Sequence, residues 1–219
     1  MNISVSQAVS RRKSTRGFIE KPIDNQVIKD ILIKASRAPS GGNLQPWRIF
    51  ILNKKSMNSF LSFQKSWSKP NNPSYHIYPE KLKEPYRTDR YEVGESMYSL
   101  LGISREDKDK RINQVMKNFD FFGAPAGLFC FIDKQMGPPQ WSDLGMFLQT
   151  FMLLAEESGI STCAQEAWSI KNECVAEFIG ADEDLMLFCG MAIGYEDATN
   201  PINKLKTSRQ PIKNWAKFL

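Results

Sequence analysis

The sequence predicts one mixed domain of helices and strands packed in two or three layers. The chain has 219 residues, of which 42% are apolar, and this is enough for one well-packed core but too little for two large domains. Segments with the composition of buried strands alternate along the chain with segments of helical periodicity. No repeat of about 20 to 50 residues is visible, so solenoids and propellers are excluded.

The predicted elements follow from local patterns, beginning with a helix that Asp24 caps and that stops before Pro39. Runs of β-branched and aromatic residues predict strands at 47–52, 127–132 and 185–193. Three further helices are predicted at 94–101, at 104–118 with Ser104 and Asp107 as a cap pair, and at 143–158, closed by Gly159. The last helix is almost uncharged in its middle, which favours a subunit interface over the centre of a core in so small a chain.

Two stretches lack this periodicity. Residues 65–92 contain four prolines interleaved with tyrosines, and a long irregular stretch inside a compact domain is typical of a functional lid. Residues 199–219 are basic and polar, with Trp215 and Phe218 near the end. We expect this segment to be an arm that docks through its aromatic residues, with a second subunit as one place for them to pack.

Charge and hydropathy limit the partners and the compartment. The formal net charge of +5 suits an anionic partner, but it is modest over a surface of this size and does not require nucleic acid. The most apolar stretch, residues 144–155, is too short to cross a bilayer. The N-terminal residues lack the apolar core of a signal peptide. We therefore expect a cytoplasmic protein with no membrane partner.

The supply of histidine and cysteine excludes several kinds of site. The four cysteines form no CxxC pair, so we predict buried free thiols and no metal site. The single histidine, His76, lies in the stretch rich in proline and tyrosine. Most hydrolase triads and histidine metal sites are therefore excluded, and His76 is assigned no catalytic role.

Neither GxGxxG after a strand nor GxxxxGK[ST] occurs in the sequence. A phosphate site would therefore have to be built without the usual glycine-rich motifs. The candidate is a basic run near the N-terminus, which consists of Arg11, Arg12, Lys13, Ser14 and Arg16. Guanidinium groups form charge-assisted hydrogen bonds with phosphate oxygens, and a serine hydroxyl can add a donor. The same spacing equally suits a solvated basic patch.

Three other segments carry polar groups at predicted turns. The segment APSGGNLQPW contains a glycine pair that lets the backbone approach a ligand, with Ser40, Asn43 and Gln45 as donors and acceptors. The segment GISTCAQEAW follows a helix end, and its backbone amides could meet a planar heterocycle edge-on. The segment KTSRQP in the arm is a further source of cations. An ordinary turn and a plain basic tail are the structural alternatives.

The four segments RRKSTRGF, APSGGNLQPW, GISTCAQEAW and KTSRQP together closely resemble the FMN-dependent nitroreductase family. The likeness extends to EPYRTDR, YSLLGI, FFGAPAGLF and WSDLGMFLQTFMLLAEE, which resemble its nitrobenzoate-reductase branch. The resemblance implies one α+β domain over residues 1–219, a three-layer α/β/α sandwich that forms an intertwined homodimer. It implies FMN at each of two subunit interfaces, with terminal arms that reach across.

The resemblance also assigns cofactor-binding residues by position. The phosphate and ribityl side of FMN would be held by Arg12, Lys13, Ser14, Arg16 and Arg209, with Arg16 alternatively at the N1 and C2 carbonyl edge of the flavin. Other cofactor contacts fall on Ser40 and Asn43, and on the loop Gln165, Glu166 and Ala167, whose backbone would donate toward flavin N5. Lys13 stands where arginine is common, which keeps the charge but loses the bidentate geometry.

The implied enzyme needs no acid, base or nucleophile of its own. NADH or NADPH would reduce FMN, and a small electron-poor acceptor such as a nitroaromatic, a quinone or an activated alkene would then be reduced in ping-pong order. If the Glu166 carboxylate faces the acceptor, it would disfavour anionic aromatics. The alternatives are a reductive dehalogenase or enone reductase, a non-catalytic flavin-binding protein, and a nucleic-acid-binding module, which ranks last because no binding motif is present.

Overall fold

The computed structural model describes residues 3–219, and their centre is a sheet of five strands. The strands are β1 (Phe18–Ile19), β2 (Arg48–Asn53), β3 (Ala126–Asp133), β4 (Ser161–Gln165) and β5 (Leu185–Glu196). The helices of the described residues are α1 (Val5–Arg11), α2 (Asn25–Ala35), α3 (Lys55–Ser66), α4 (Tyr86–Leu100), α5 (Lys108–Met116), α6 (Pro138–Glu157) and α7 (Asn172–Ile179).

All strand pairs are antiparallel, in the order β1-β5-β3-β2, and β4 pairs with β5 beside β1. Strand β3 is the centre of the sheet, and all its residues except Asp133 are buried. Its continuous apolar run therefore reflects burial on both faces, as a central strand between two helical layers requires. In register with it, Cys130 lies opposite Cys189 of β5.

The side chains of β3 alternate between two apolar clusters, one on each face of the sheet. Leu128, Cys130 and Ile132 pack with α2 and α6 on one face. Phe129 and Phe131 pack on the other face with residues of α3 and α7. The predicted α+β class and three-layer sandwich are therefore confirmed.

Several boundaries differ from the prediction. The predicted lid at 65–92 is irregular only between α3 and α4, at residues 67–85, because a polar helix begins at Tyr86 rather than at residue 94. Helix α6 begins at Pro138 instead of residue 143, since proline suits the first turn of a helix. The predicted cap pair of α5 is not formed, because the Asp107 carboxylate bonds to Lys110 Nζ at 3.1 Å and makes no side-chain cap.

The first half of the predicted lid is fixed to the body of the domain. Ser74 donates its N–H to the carbonyl of Ser169 at 3.1 Å, and the N–H of Asn72 bonds to Glu173 Oε2 at 2.7 Å. His76 follows, exposed, two residues after Ser74. In the arm, Trp215 is 69% and Phe218 88% exposed, so most of each aromatic side chain is left uncovered by the rest of the chain.

No helix within residues 3–219 has the length and hydropathy that a membrane span requires.

Candidate functional site

A cavity of about 810 Å³ lies between the N-terminal segment, α6 and the arm. Its lining contains the cations Arg11, Arg12, Lys13, Arg16, Lys206 and Arg209, together with Ser14 and Thr207. The fold thus brings five of the predicted site residues, Arg12, Lys13, Ser14, Arg16 and Arg209, to one cavity, although the arginine of the arm is distant in sequence from the other four.

The N-terminal cations are positioned by the end of α1 and the edge of β4. A capping box between Ser4 and Gln7 starts α1, which ends at Arg11. The chain then extends alongside β4, where Thr15 donates its N–H to the carbonyl of Thr162 at 3.0 Å and Ser14 forms a parallel bridge with Thr162. Residues 12–16 therefore follow the outer edge of β4.

Lys13 differs from the other cations of the cavity. Its Nζ lies 2.7 Å from Glu196 Oε1 and 2.7 Å from the carbonyl oxygen of Asn203. The charge of Lys13 is therefore matched by a carboxylate of β5. We predicted Lys13 as a phosphate contact, and the structure places it at the cavity with its ammonium group committed to the protein.

The remaining cations of the cavity have no such partner. Within residues 3–219, no ion pair joins a carboxylate to Arg11, Arg12, Arg16, Lys206 or Arg209. Arg209 Nη1 donates only to groups of its own arm, the nearest being Thr207 Oγ1 at 2.7 Å. Five like charges around one cavity repel each other, so the arrangement suits a ligand with more than one negative charge.

The predicted loop at 165–167 begins at the end of the same β4 edge. Since the carbonyl of Thr162 points to this edge, strand alternation directs the backbone groups of Ala164 there too, and the strand ends at Gln165. The Gln165 side chain is buried and donates to the Asn118 carbonyl at 2.7 Å. Ala167 is half-buried in the 3-10 turn that follows. The side chain of Gln165 is therefore structural, and within β4 it is the backbone of Ala164 that the edge presents.

Glu166 is exposed and forms no ion pair within the described part of the chain. The pairing of β4 with β5 ends where Gln165 lies opposite Gly190, and Glu166 and Cys189 are the next residues of the two segments. Burial raises the pKa of Cys189 to about 12, and the charge of Glu166 adds to the rise. Its carboxylate also contributes to the raised pKa of Tyr75, which is mainly an effect of burial. Glu166 thus borders the region that holds Cys189 and Tyr75.

Three aromatic rings occupy that region. Tyr75 and Trp141 are 5.5 Å apart between ring centroids, and Phe188 lies 5.9 Å from Tyr75 and 6.0 Å from Trp141. The Tyr75 hydroxyl donates to the Phe188 carbonyl. The predicted lid therefore contributes one tyrosine to an aromatic group near Glu166.

The glycine turn predicted from APSGGNLQPW is a separate, strained structure. Gly42 and Asn43 have φ of 57° and 58°, and Gln45 has φ of 49°. Such angles are uncommon for residues other than glycine and are concentrated at functional sites. Ser40 Oγ accepts the N–H of Gln45 at 3.0 Å, so this hydroxyl closes the turn.

A buried carboxylate anchors this turn. Asp143, 4% exposed, accepts the N–H of Gly41 with both oxygens, at 3.3 and 3.2 Å. Gln149, six residues later on α6, lines the cation cavity. Six residues correspond to about 9 Å along a helix and about 120° around it. The turn with Ser40 and Asn43 and the cavity therefore contact different faces of α6, and neither Ser40 nor Asn43 lines the cavity.

Sequence reasoning missed several residues of the cavity. Lys206 and Arg11 belong to segments that had been identified as basic, whereas Val93 and Gln149 carried no signal because only the packing of α4 and α6 brings them there. No group of three metal-ligating side chains occurs in the described residues, and all four cysteines are buried.

Comparison with known proteins identifies relatives over nearly the whole chain. The model of the nitroreductase family matches residues 9–195. A 4-nitrobenzoate reductase of Pseudomonas putida is 34% identical over 215 residues, which cover 96% of this chain and 93% of that protein. The structure of an FMN- and NADPH-dependent nitroreductase, NfnB of Sphigopyxis sp. strain HMH, superposes with a TM-score of 0.94 at 38% identity and covers 99% of both chains. NfnB of Mycobacterium smegmatis, solved in complex with NADPH, has the same fold, with a TM-score of 0.89 at 22% identity over 99% of this chain and 100% of that chain.

Proposed function

The chain belongs to the nitroreductase family, and from this premise we propose that it is an FMN-dependent oxidoreductase that uses NADPH to reduce nitroaromatic compounds. The observation that carries the proposal is the cavity at which cations from both ends of the chain meet, all but Lys13 without a carboxylate partner among residues 3–219. The family relationship supplies the reaction class, and the cavity supplies a place for an anionic cofactor.

The residues of the cavity fit the phosphate of FMN. A phosphate monoester carries nearly two negative charges, and guanidinium groups bind its oxygens through paired hydrogen bonds. Arg12, Arg16 and Arg209 would hold the phosphate, and the Ser14 hydroxyl would add a donor. Lys13, already paired with Glu196, would instead fix the segment that carries them.

The edge of β4 would place the flavin ring. Ser14 and Thr162 meet at this edge, and the strand continues from there to Gln165. Backbone donors at residues 165–167 would orient the ring, while the Gln165 side chain holds the loop to Asn118. FMN, when bound, supplies two-electron transfer between NADPH and the acceptor.

NADPH and the electron acceptor would bind in turn at the same exposed face of the flavin ring, which gives ping-pong kinetics. The same arrangement admits quinones as acceptors. The aromatic group of Tyr75, Trp141 and Phe188 offers flat surfaces near that face. Reductive dehalogenation and enone reduction are the alternatives within the same chemistry. An anaerobic acceptor panel would separate them.

We further propose that the functional unit is a homodimer in which the second copy supplies Ser40 and Asn43. This is supported by the separation of the glycine turn from the cation cavity across α6. It is also supported by exposed apolar residues on α1 and α6, where Val5 is 75%, Val9 54% and Met146 38% exposed.

Purified protein tests the proposal directly. It should be yellow or take up FMN, bleach anaerobically on addition of NADPH, and regain its colour with nitrobenzene. Protein that takes up no FMN would remove the proposal. Bound flavin that NADPH reduces no faster than free FMN would indicate a non-catalytic flavin-binding protein instead.

Charge reversal tests where the phosphate lies. Arg12→Glu combined with Arg209→Glu should abolish FMN retention and leave the far-UV circular dichroism unchanged. The matched control is Arg37→Glu with Lys55→Glu, which changes the net charge equally at exposed residues outside the cavity and should retain FMN. Retained flavin in the first variant would show that the phosphate lies elsewhere.

A further inference from the structure

The arm that carries Arg209 is fastened to the domain by the next residue. Gln210 Nε2 donates to Asp89 Oδ1 of α4 at 2.7 Å. The other polar atoms of Gln210 bind within the arm, since Oε1 accepts from Asn214 Nδ2 at 2.8 Å and the carbonyl accepts from Trp215 Nε1 at 3.1 Å. Gln210 therefore connects the hydrogen-bonded turn at residues 210–215 of the arm to Asp89, a half-buried carboxylate of the domain.

Among residues 3–219, the Arg209 side chain forms no hydrogen bond with the rest of the domain. Its Nη1 donates to Thr207 and to the carbonyl of Ser208, all within the arm. The position of the Arg209 side chain relative to Arg12, on the other side of the cavity, therefore depends on how firmly the arm itself is held. A hydrogen bond to a carboxylate is among the stronger ones. Gln210, which donates such a bond to Asp89, directly follows Arg209 in the sequence.

The location of Asp89 agrees with such a role. Asp89 and Val93 are one helical turn apart on α4, and Val93 lines both the cation cavity and a second cavity of about 740 Å³ beneath the arm. Lys206, Thr207 and Arg209 also line both cavities. The arm thus forms the partition between them, and Asp89 holds it from the side away from the phosphate.

We propose that Asp89 is a positioning residue for the cofactor phosphate, which acts through Gln210 to keep Arg209 at the cation cavity. The proposal rests on the proposed function, because it takes the anion to be the phosphate of FMN. A negative charge near a phosphate would by itself weaken binding, so the positioning role and simple repulsion predict opposite effects for removal of Asp89.

Two measurements on the full-length protein test this role. The first is the Kd of FMN for the apoprotein, followed by quenching of flavin fluorescence. The second is the rate of limited trypsin cleavage after Lys206 and Arg209, which reports the order of the arm without reference to activity or cofactor. Asp89→Ala should raise the Kd about tenfold and accelerate both cleavages.

Four variants control the interpretation. Asp89→Asn keeps an acceptor oxygen and should restore most of the affinity. Gln210→Ala should reproduce the effect of Asp89→Ala, and the double variant should add little, because both remove one bond. Glu92→Ala removes an acid of the second cavity with no recorded bond to the arm and should leave both measurements within about twofold.

The outcomes distinguish the possible failures. Tighter FMN binding in both Asp89→Ala and Asp89→Asn would show repulsion and overturn the positioning role. Faster cleavage with an unchanged Kd would show that the arm is anchored but that Arg209 does not depend on it, which also overturns the role. Wild-type protein that binds no FMN would overturn the proposed function, while the cleavage rates would still report whether Asp89 fastens the arm.

Discussion

Thr15 and Thr162 are joined by a backbone hydrogen bond of 3.0 Å, in which the N–H of Thr15 donates to the carbonyl of Thr162. This bond aligns the N-terminal segment with the outer edge of β4. The cations at residues 12–16 and the loop after Gln165 are thereby held at a fixed spacing. A cofactor with an anionic tail and a planar ring needs such a spacing, so one backbone donor affects both ends of the proposed site.

Thr15→Pro should weaken FMN binding about tenfold, because proline has no N–H to donate and leaves the Thr162 carbonyl without its partner. Fluorescence titration with FMN measures the change. The matched control is Thr15→Val, which keeps the N–H and removes a buried hydroxyl that has no hydrogen-bond partner. This control should bind FMN normally and raise the free energy of unfolding by about 1 kcal/mol in urea. Equal FMN affinity of Thr15→Pro and wild type would contradict the argument.

The parts of the fold that were predicted correctly are those with strong local patterns. Helix α2 has a buried apolar stripe, and β3 has no polar side chain before Asp133. The elements that were missed, or in the case of α4 predicted only in its second half, lack such patterns. Helix α3 buries only Met57 and Phe60, α4 buries no residue, and β4 consists of small and polar residues that form a strand because they pair with β5. Tertiary contacts, rather than propensity, determine these segments.

In the candidate site, too, the features that could be predicted are local in sequence, and those that could not depend on contacts between distant residues. The basic run and the glycine turn could be located from residue types, because phosphate binding needs guanidinium groups and a left-handed turn needs glycine. The pairing of Lys13 with Glu196 and the anchoring of Gly41 by Asp143 could not be predicted, since both join residues that are far apart in sequence.

Asp143→Ala should destabilise the protein by about 1–3 kcal/mol, because the N–H of Gly41 loses its acceptor at a partly buried position. Urea denaturation measures the loss. Asp143→Asn keeps one carbonyl oxygen as an acceptor and should recover part of it. If the turn contributes to the flavin site, Asp143→Ala should also weaken FMN binding, whereas identical stability of the alanine variant and wild type would show that the bond contributes nothing.

The buried thiols predict a loss of stability in alkali. Burial raises the pKa of Cys189 to about 12 and that of Cys130 well above its ordinary value. The unfolded thiol ionises near pH 8.5 while the folded one keeps its proton, so the contribution is intact below about pH 8.5 and declines between there and about pH 12. Each such thiol gives a slope of about 1.4 kcal/mol per pH unit.

Cys189→Ala should therefore make the decline of the free energy of unfolding between about pH 9.5 and 11 shallower by about 1.4 kcal/mol per pH unit. The control is Met191→Ala, a buried residue of the same strand that does not titrate. It should lower stability but keep the wild-type slope. A Cys189→Ala curve that runs parallel to wild type would show that this thiol does not contribute.

Subunit complementation tests whether the site is shared between two copies. One variant carries Arg12→Glu and Arg209→Glu, and the other carries Ser40→Ala and Asn43→Ala. Neither should retain FMN alone. After joint refolding, half of the dimers are mixed, and each mixed dimer has one intact site if cations and turn come from different chains. Flavin retention should then recover to about a quarter of wild type, from these mixing fractions for a two-chain site. No recovery would show that each site is built within one chain.

Glu166 should select against anionic acceptors. Its carboxylate is exposed, unpaired among the described residues and close to the aromatic group of Tyr75. Repulsion between two charges near a protein surface is about 1 kcal/mol or more at contact distances, which corresponds to about fivefold in rate. Glu166→Gln should therefore raise kcat/KM for 4-nitrobenzoate relative to its uncharged methyl ester about fivefold.

The ester has the same ring and nitro group, so the ratio of the two rate constants isolates charge from flavin loading and from the reduction step. Glu183→Gln removes an exposed carboxylate far from β4 in sequence and should leave the ratio unchanged. A ratio that also stays constant in Glu166→Gln would place this carboxylate outside the path of the acceptor. In that case, the charge of Glu166 would not affect the choice between anionic and uncharged acceptors.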